Sequence, residues 1–394
     1  MTEGAGSAET LRGYGIVYFG NDWFAENRTS SHHVARRLAQ HAPLLYVDSP
    51  GLRAPTASGR DLRRLWRKLA SALQKPMQID EQFWRCTVPQ IPYRRFPGVE
   101  ALNRAFGLWA VRRALKHVNF AEHISWFVVP HPGFMARRLK EQLCVYYCID
   151  DYAAHPGVDA EVVARSDEAL TRNADLVFVA PPALVEKKQA SNPNTHFSPH
   201  GVDIELFRRA MDPATQIPPL ARGLTRPVIG FFGSLAAWID TELIEWLARS
   251  RPQWSFLLIG HAFADVSALR ALSNVTLAGP QPYDSLAGWA RAFDVAIIPY
   301  RRNQQVMNAN PLKLREYLAT GRPVVTVSNP EIERFRAWVR IADDREGFLR
   351  AIEESLAPEP PEAAWRRIAV VEPMTWDRRV EDVLTTVAQK LAQP

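Results

Sequence analysis

Apolar positions along this chain fall into two alternating kinds of run. Short, almost unbroken apolar runs have the length of buried strands: GIVYFG (Gly15–Gly20), LLYVDS (Leu44–Ser49), ISWFVVP (Ile124–Pro130), LCVYYCIDD (Leu143–Asp151), DLVFVA (Asp175–Ala180) and THFSPHG (Thr195–Gly201). Helical stretches stand between them: SSHHVARRLAQH (Ser30–His41), with Ser30 or Ser31 as cap, and a second from about Glu161 to Arg172. This alternation predicts a parallel α/β domain.

The pattern then starts again. PVIGFFG (Pro227–Gly233), WSFLLIG (Trp254–Gly260), VTLAG (Val275–Gly279), DVAIIPY (Asp294–Tyr300) and PVVTVS (Pro323–Ser328) read as strands. DTELIEWLARS (Asp240–Ser250) and YDSLAGWARAF (Tyr283–Phe293) read as helices. The intervening RRAMDPATQIPPLARGLTRP (Arg208–Pro227) is proline-rich and without period, so the domain boundary is placed there. A length of 394 residues at 47% hydrophobic composition also fits two cores better than one.

One helix carries a conflict. In NANPLKLREYLATGRPVV (Asn308–Val325), Asn310 reads as N-cap and Pro311 as the first helical position, while Gly321 and Pro323 close the far end. Lys313 then falls in the first turn, where backbone N–H groups already make the surroundings electropositive. An anion bound at the helix start would remove the conflict.

Ligands of open α/β sheets bind beyond the carboxyl ends of the strands. The residues following strands here are Gly20–Asp22, His131, Asp150–Asp151, His200, Gly233, Gly260, Gly279 and Tyr300. None of these turns has the form G-x-G-x-x-G and no P-loop is present, which argues against a dinucleotide dehydrogenase or a P-loop NTPase.

Charge adds an asymmetry. The net charge is +6, from 48 Lys/Arg against 42 Asp/Glu. Between Gly51 and Phe120 there are 14 basic and 4 acidic residues, a net of +10; the remainder, 34 against 38, carries −4. This points to an anionic partner for the first half. Within it, GRDLRRLWRKLASALQK (Gly59–Lys75) puts Leu62, Leu65, Trp66, Leu69 and Leu73 on one helical face, with Arg63, Arg64, Arg67 and Lys68 around the others. That is the pattern of a helix lying on a membrane surface or packed on the domain. Nucleic acid is not expected, because no reading motif accompanies the charge. Cys86, Cys144 and Cys148 form no even disulfide set and no metal-binding spacing, MTEGAGSAET has no signal-like core, and the longest apolar runs are strand-sized. A cytoplasmic protein, peripheral on the inner face of the cell membrane, is the expectation.

The second half resembles the nucleotide-binding domain of GT-B glycosyltransferases, family 4 and bacterial exopolysaccharide enzymes above all. The resemblance rests on IGFFGSLAAWIDTELIEWLARSRPQWSFLLIGH, NVTLAGPQPYDSLAGWARAFDVAIIPY and NPLKLREYLATGRPVV. PHGVDIELF (Pro199–Phe207) looks like the segment before the interdomain link, and MTWDRRVEDVL (Met374–Leu384) like the last helix, which in the family crosses back to the first domain. The resemblance implies two Rossmann-like parallel-sheet domains facing across a cleft: an acceptor-binding domain over 1–207, a linker over 208–226, a nucleotide-sugar-binding domain over 227–375 and a returning helix over 376–394. Family 4 carries two glutamates separated by seven residues; here the second is Glu316, while Asn308 holds the first position. The Arg/Lys diphosphate clamp is also missing from GSLAAW. The pattern is closer to the glucuronosyltransferase of xanthan assembly, which implies a diphosphate contact for Lys313, nucleotide binding for Glu316 and a catalytic aspartate at Asp150.

The residue chemistry agrees with this. Lys313 and Glu316 share a helix face. A helix start plus a lysine suits a diphosphate, and a carboxylate one turn on can accept from a ribose diol. Gly260 and Gly279 allow close backbone approach, Gly233 a phosphate near backbone N–H groups, Tyr283 stacking on a base and Tyr300 a place above the same cleft; Asn310 and Leu312 flank the helix start. Asp150 and Asp151 are the candidates for general base, with His131 and Asp22 as further catalytic candidates. No cofactor and no metal are expected beyond the nucleotide-diphosphate sugar, taken as a UDP-sugar. The acceptor is expected to be lipid-linked or a growing polysaccharide. Loss of the first glutamate leans toward inversion, as in the xanthan enzyme. The competing readings are transfer to a soluble small molecule, a sugar-nucleotide epimerase, and a nucleotide-sugar-binding protein without catalysis.

Overall fold

The computed structural model describes residues 11–24, 28–49, 75–88, 98–155 and 157–393. The basic segment with Arg63, Arg64, Trp66, Arg67 and Lys68 lies outside them. The chain divides into two units: residues 1–199 with 379–394, and residues 200–378.

The first unit is an eight-stranded sheet in the order β3-β4-β2-β1-β5-β6-β7-β8. Its strands are β1 (Tyr14–Gly20), β2 (Leu44–Asp48), β3 (Met77–Asp80), β4 (Phe83–Thr87), β5 (Glu122–Phe127), β6 (Leu143–Cys148), β7 (Leu176–Val179) and β8 (Thr195–Phe197). All neighbours are parallel except the β3–β4 pair. Helices α1 (Ser30–Leu38), α2 (Val99–Val118) and α3 (Ala160–Asn173) cover it. Strands β2, β6 and β7 are buried throughout, which is why they read as unbroken apolar runs. Between Ser49 and Ile124 the pattern predicted only the amphipathic helix over Gly59–Lys75, nearly all of which lies outside the described residues. The structure places the β3–β4 hairpin and the 20-residue α2 in the rest of this interval. β3 is an exposed edge with little apolar alternation, and α2 has large apolar residues on its outer side as well.

The second unit is a six-stranded, wholly parallel sheet in the order β11-β10-β9-β12-β13-β14. Its strands are β9 (Val228–Phe232), β10 (Ser255–Ile259), β11 (Val275–Gly279), β12 (Val295–Ile298), β13 (Val324–Thr326) and β14 (Arg340–Ile341). Its helices include α4 (Ile204–Arg208), α5 (Thr241–Ser250), α6 (Leu286–Arg291) and α7 (Leu312–Ala319). Asp240 caps α5, accepting from the Leu243 N–H at 2.9 Å. The final helix, α8 (Trp376–Leu391), enters the first unit's set of residues at Arg379.

The domain limits differ from those drawn at 207, 227 and 375. The stretch after Pro199 already belongs to the second core: Val202 donates to the Met374 carbonyl at 2.9 Å, and Phe207 stacks on Phe232 at 5.7 Å. The proline-rich segment 208–226 is fixed too, with Arg291 donating to the Thr215 carbonyl at 2.6 Å. A segment without period is bound here by irregular backbone contacts that periodicity cannot show. Among the described residues, no helix is long and apolar enough to cross a membrane.

Candidate active-site residues

In the second unit the strand order turns back between β9 and β12, the place where open α/β sheets bind ligands. Helix α7 is pinned there by Tyr317. Its buried hydroxyl accepts from the Phe232 N–H at 2.8 Å and donates to the Phe232 carbonyl at 3.3 Å, and the rings meet edge-on at 4.5 Å. One turn upstream, this anchor sets Lys313 over the end of β9. Its Nζ stands 5.7 Å from the centre of the Phe231 ring. A Cβ on residue 233 would collide with Lys313 Cε, and Gly233 also has φ +137°, so only glycine suits this position.

Gly233 spends its own N–H on the Ile259 carbonyl at 2.7 Å, and Gly260 donates to Gly279 at 2.8 Å. The expectation of a phosphate-facing N–H at Gly233 is therefore corrected: the ladder consumes it. What the missing side chains provide is room, for Lys313 at Gly233 and for the Gly233 carbonyl at Gly260. Gly279 turns at φ +67° with open space beside it.

The helix start also differs from the sequence reading. Pro311, at φ −69° and ψ 118°, is extended and holds the N-cap position, so α7 begins at Leu312, which is half-buried. Asn310 is not the cap. Its Oδ1 accepts from Arg315 Nη1 at 2.7 Å. Arg315 is itself buried and paired with Glu331, and a buried guanidinium claims every acceptor in reach. Lys313 stays in the first turn.

Glu316 follows on the same face. Burial pushes its carboxyl up to about 7, Lys313 pulls it down, and Asp203 adds a further push upward. The raised value means that the folded protein holds this proton more tightly than the unfolded chain. The stabilising effect is therefore complete below about 4.5 and is lost as pH rises to about 7. It is worth at most about 3 kcal/mol, less where solvent reaches this half-buried side chain. Glu316→Gln should accordingly gain melting temperature over the parent as pH goes from 5 to 8. A gap that does not change with pH in paired melting curves would mean that the carboxyl titrates normally.

The aromatic candidates pack inward. Tyr300 is 8% exposed, inside the core, which corrects its placement above a ligand. Tyr283 meets Phe207 edge-on at 5.7 Å. His200 is buried against Trp376, with ring centres 5.9 Å apart.

In the first unit, Asp150 follows β6. Its Oδ1 accepts from the Asp151 N–H at 2.9 Å, and its Oδ2 lies 2.8 Å from His155 Nε2. Asp151 stands at the head of the one-turn helix Tyr152–Ala154, with no side-chain bond to it. His131 opens another single turn, His131–Met135, and is half-buried. Asp22 follows β1, is largely exposed, and accepts from the Phe24 N–H at 3.1 Å. Sequence reading missed its neighbours. Arg85 of β4 lies 4.0 Å from Asp22 and is paired with Asp48 at the end of β2, which also accepts from the Trp23 N–H at 3.0 Å. Burial pushes the Asp48 carboxyl up while Arg85 opposes it. Asp48 was visible as the polar end of LLYVDS; Arg85 and His155 had no signal, since only the fold carries them to their partners.

These two sheets, one wholly and one mainly parallel and each with polar residues gathered at strand ends, are found in known proteins. Residues 226–357, about a third of the chain, match the family described as Glycosyl transferases group 1. The sucrose-phosphate synthase of Thermosynechococcus elongatus superposes with a TM-score of 0.71 over 97% of this chain and 100% of its own, at 14% identity. Anabaena Alr3699/HepE, crystallised with UDP and glucose, gives 0.63 over 96% and 99%, at 15% identity. The chain is a GT-B glycosyltransferase working from a nucleotide-sugar donor. In sequence it is 25% identical over 326 residues, 71% of this chain and 80% of the other, to TuaH of Bacillus subtilis (strain 168), provisionally named a teichuronic acid biosynthesis glycosyltransferase.

Proposed function

We propose that the protein moves a sugar from a UDP-sugar to a lipid-linked or growing bacterial polysaccharide, without a metal ion and with inversion. The observation that carries the donor reading is Lys313 laid across Gly233 at the head of α7, with Glu316 one turn on. Lys313 and the α7 N–H groups take the diphosphate, and Glu316 accepts from the ribose hydroxyls. Asp150 removes the acceptor hydroxyl proton as that oxygen attacks the anomeric carbon; the bond to the diphosphate breaks, and Lys313 stabilises the charge of the departing UDP. The UDP named with the Anabaena structure supports the choice of nucleotide, and the polysaccharide named with TuaH supports the acceptor class.

A thermal-shift series with UDP and UDP-sugars, followed by product analysis with and without a lipid-linked oligosaccharide, tests this. UDP should raise the melting point by mass action, and the sugar should leave UDP only when acceptor is present. Interconversion of the donor without acceptor would mark an epimerase. Binding without transfer to any acceptor would mark a protein that has kept the donor site and lost catalysis.

A further inference from the structure

Helix α2 is two-sided. One stripe, Asn103, Gly107, Ala110, Val111 and Ala114, is small and buried against the sheet. The outward stripe falls within about 60° on either side of Trp109 at 100° per residue. Its first half is apolar: Leu102, Ala105, Phe106 and Trp109, with Leu102 55% exposed, Trp109 43% exposed, and Phe106 stacked on Trp109 at 5.3 Å. Its second half is basic: Arg112, Arg113 and Lys116, all exposed, with Arg113 set 5.7 Å over the Trp109 ring. From Ala101 to Phe120 the sequence holds four Arg/Lys and no Asp or Glu.

Beside the basic half opens a cavity of about 330 Å³. Lys75, Arg85, Arg113, Lys116 and His117 line it, and no acidic residue does. Arg85 is committed to Asp48, so Lys75, Arg113 and Lys116 set the charge at its mouth.

We infer that the outer face of α2 docks on the anionic surface of a lipid bilayer, with Leu102, Phe106 and Trp109 entering the interface and a lipid phosphate seated against Arg113 and Lys116. Charge complementarity selects the occupant. Basic residues draw the face to anionic headgroups, and an exposed Trp and Leu in line with them suit the boundary between headgroups and acyl chains. Nucleic acid would satisfy the cations and leave Leu102 in water. A second copy of the chain would set three like charges against three more. The inference uses residues apart from those assigned to donor and acceptor chemistry.

Sedimentation of the full chain with phosphatidylglycerol–phosphatidylcholine vesicles, and with pure phosphatidylcholine, tests it. The protein should pellet with the first only, and salt should release it. Replacing Arg112, Arg113 and Lys116 together by Gln should weaken partitioning about 100-fold, at roughly fivefold per cation. Trp109→Gln should weaken it by about tenfold while keeping its salt dependence. Both variants should keep the parent melting curve and the parent response to UDP. This separates a failed docking face from a failed donor site. Equal pelleting of parent and triple variant overturns the inference, as does release by Gln at Arg63, Arg64, Arg67 and Lys68 with no effect from α2. Binding of duplex DNA in place of vesicles overturns it too, as does self-association in the ultracentrifuge that the α2 changes abolish.

Discussion

Asp150→Asn is expected to lower turnover by about 100-fold or more while UDP-sugar affinity stays within about twofold. The reasoning is geometric. Asp150 lies two residues beyond β6, a strand buried along its whole length, which anchors the turn that carries it. Its carboxylate is held from two sides, by the Asp151 N–H and by His155 Nε2. Asn keeps the shape and the bond from Asp151 but cannot take a proton from an acceptor hydroxyl. Donor binding rests on α7 and should not feel the change. His155→Gln should be milder, since it loosens the carboxylate without removing it. The pH profile of kcat should move in that variant if His155 acts by positioning Asp150. Single-turnover assays at saturating donor check both. A full loss in Asp151→Asn with near-normal rates in Asp150→Asn would shift the assignment by one residue.

Lys313→Ala is expected to weaken binding of UDP and UDP-sugars by about 1.5–3 kcal/mol, the scale of a charge-assisted hydrogen bond. Turnover should fall as well, because charge on the departing diphosphate grows in the transition state. Stability of the empty protein should stay level or rise slightly near pH 6. There Glu316 is largely protonated and gains little from the lysine, while the α7 start loses a like charge. Glu316→Gln should instead weaken binding of ribose nucleotides and leave inorganic diphosphate unaffected, since no diol is involved. Calorimetry with UDP and with diphosphate, plus melting curves without ligand, separates the two. A Lys313→Ala protein that melts far lower yet binds UDP normally would make Lys313 a structural residue.

What the sequence determined by itself was the part carried by period and local chemistry. Buried parallel strands are apolar on both faces, so β1, β2 and β5 to β7 in one sheet, and β9, β10 and β12 in the other, stand out as short runs bounded by polar residues. A helix opening at Asp240, a glycine at 321 closing α7, and Lys313 in a first turn are local facts that neighbouring residues dictate. From such facts the two-domain α/β class was legible, and Lys313 stood out as a cation in a first turn.

Only the tertiary structure decided the rest, because those features depend on residues far apart in the chain. β3 is an edge strand whose exposed faces carry no alternation, and α2 has apolar residues on both sides. Asn310 looks like a cap until Arg315, buried beside Glu331, claims it. The Gly233 N–H looks available until β10 takes it into the ladder. Tyr317 reads as one more core aromatic, yet its hydroxyl, 85 residues away from Phe232, fixes Lys313 over Gly233. Arg85 reaches Asp48, and the Glu316 carboxyl is pushed up to about 7, for the same reason. Burial and long-range pairing set the energy of a polar group, and neither is written in the residues on either side of it.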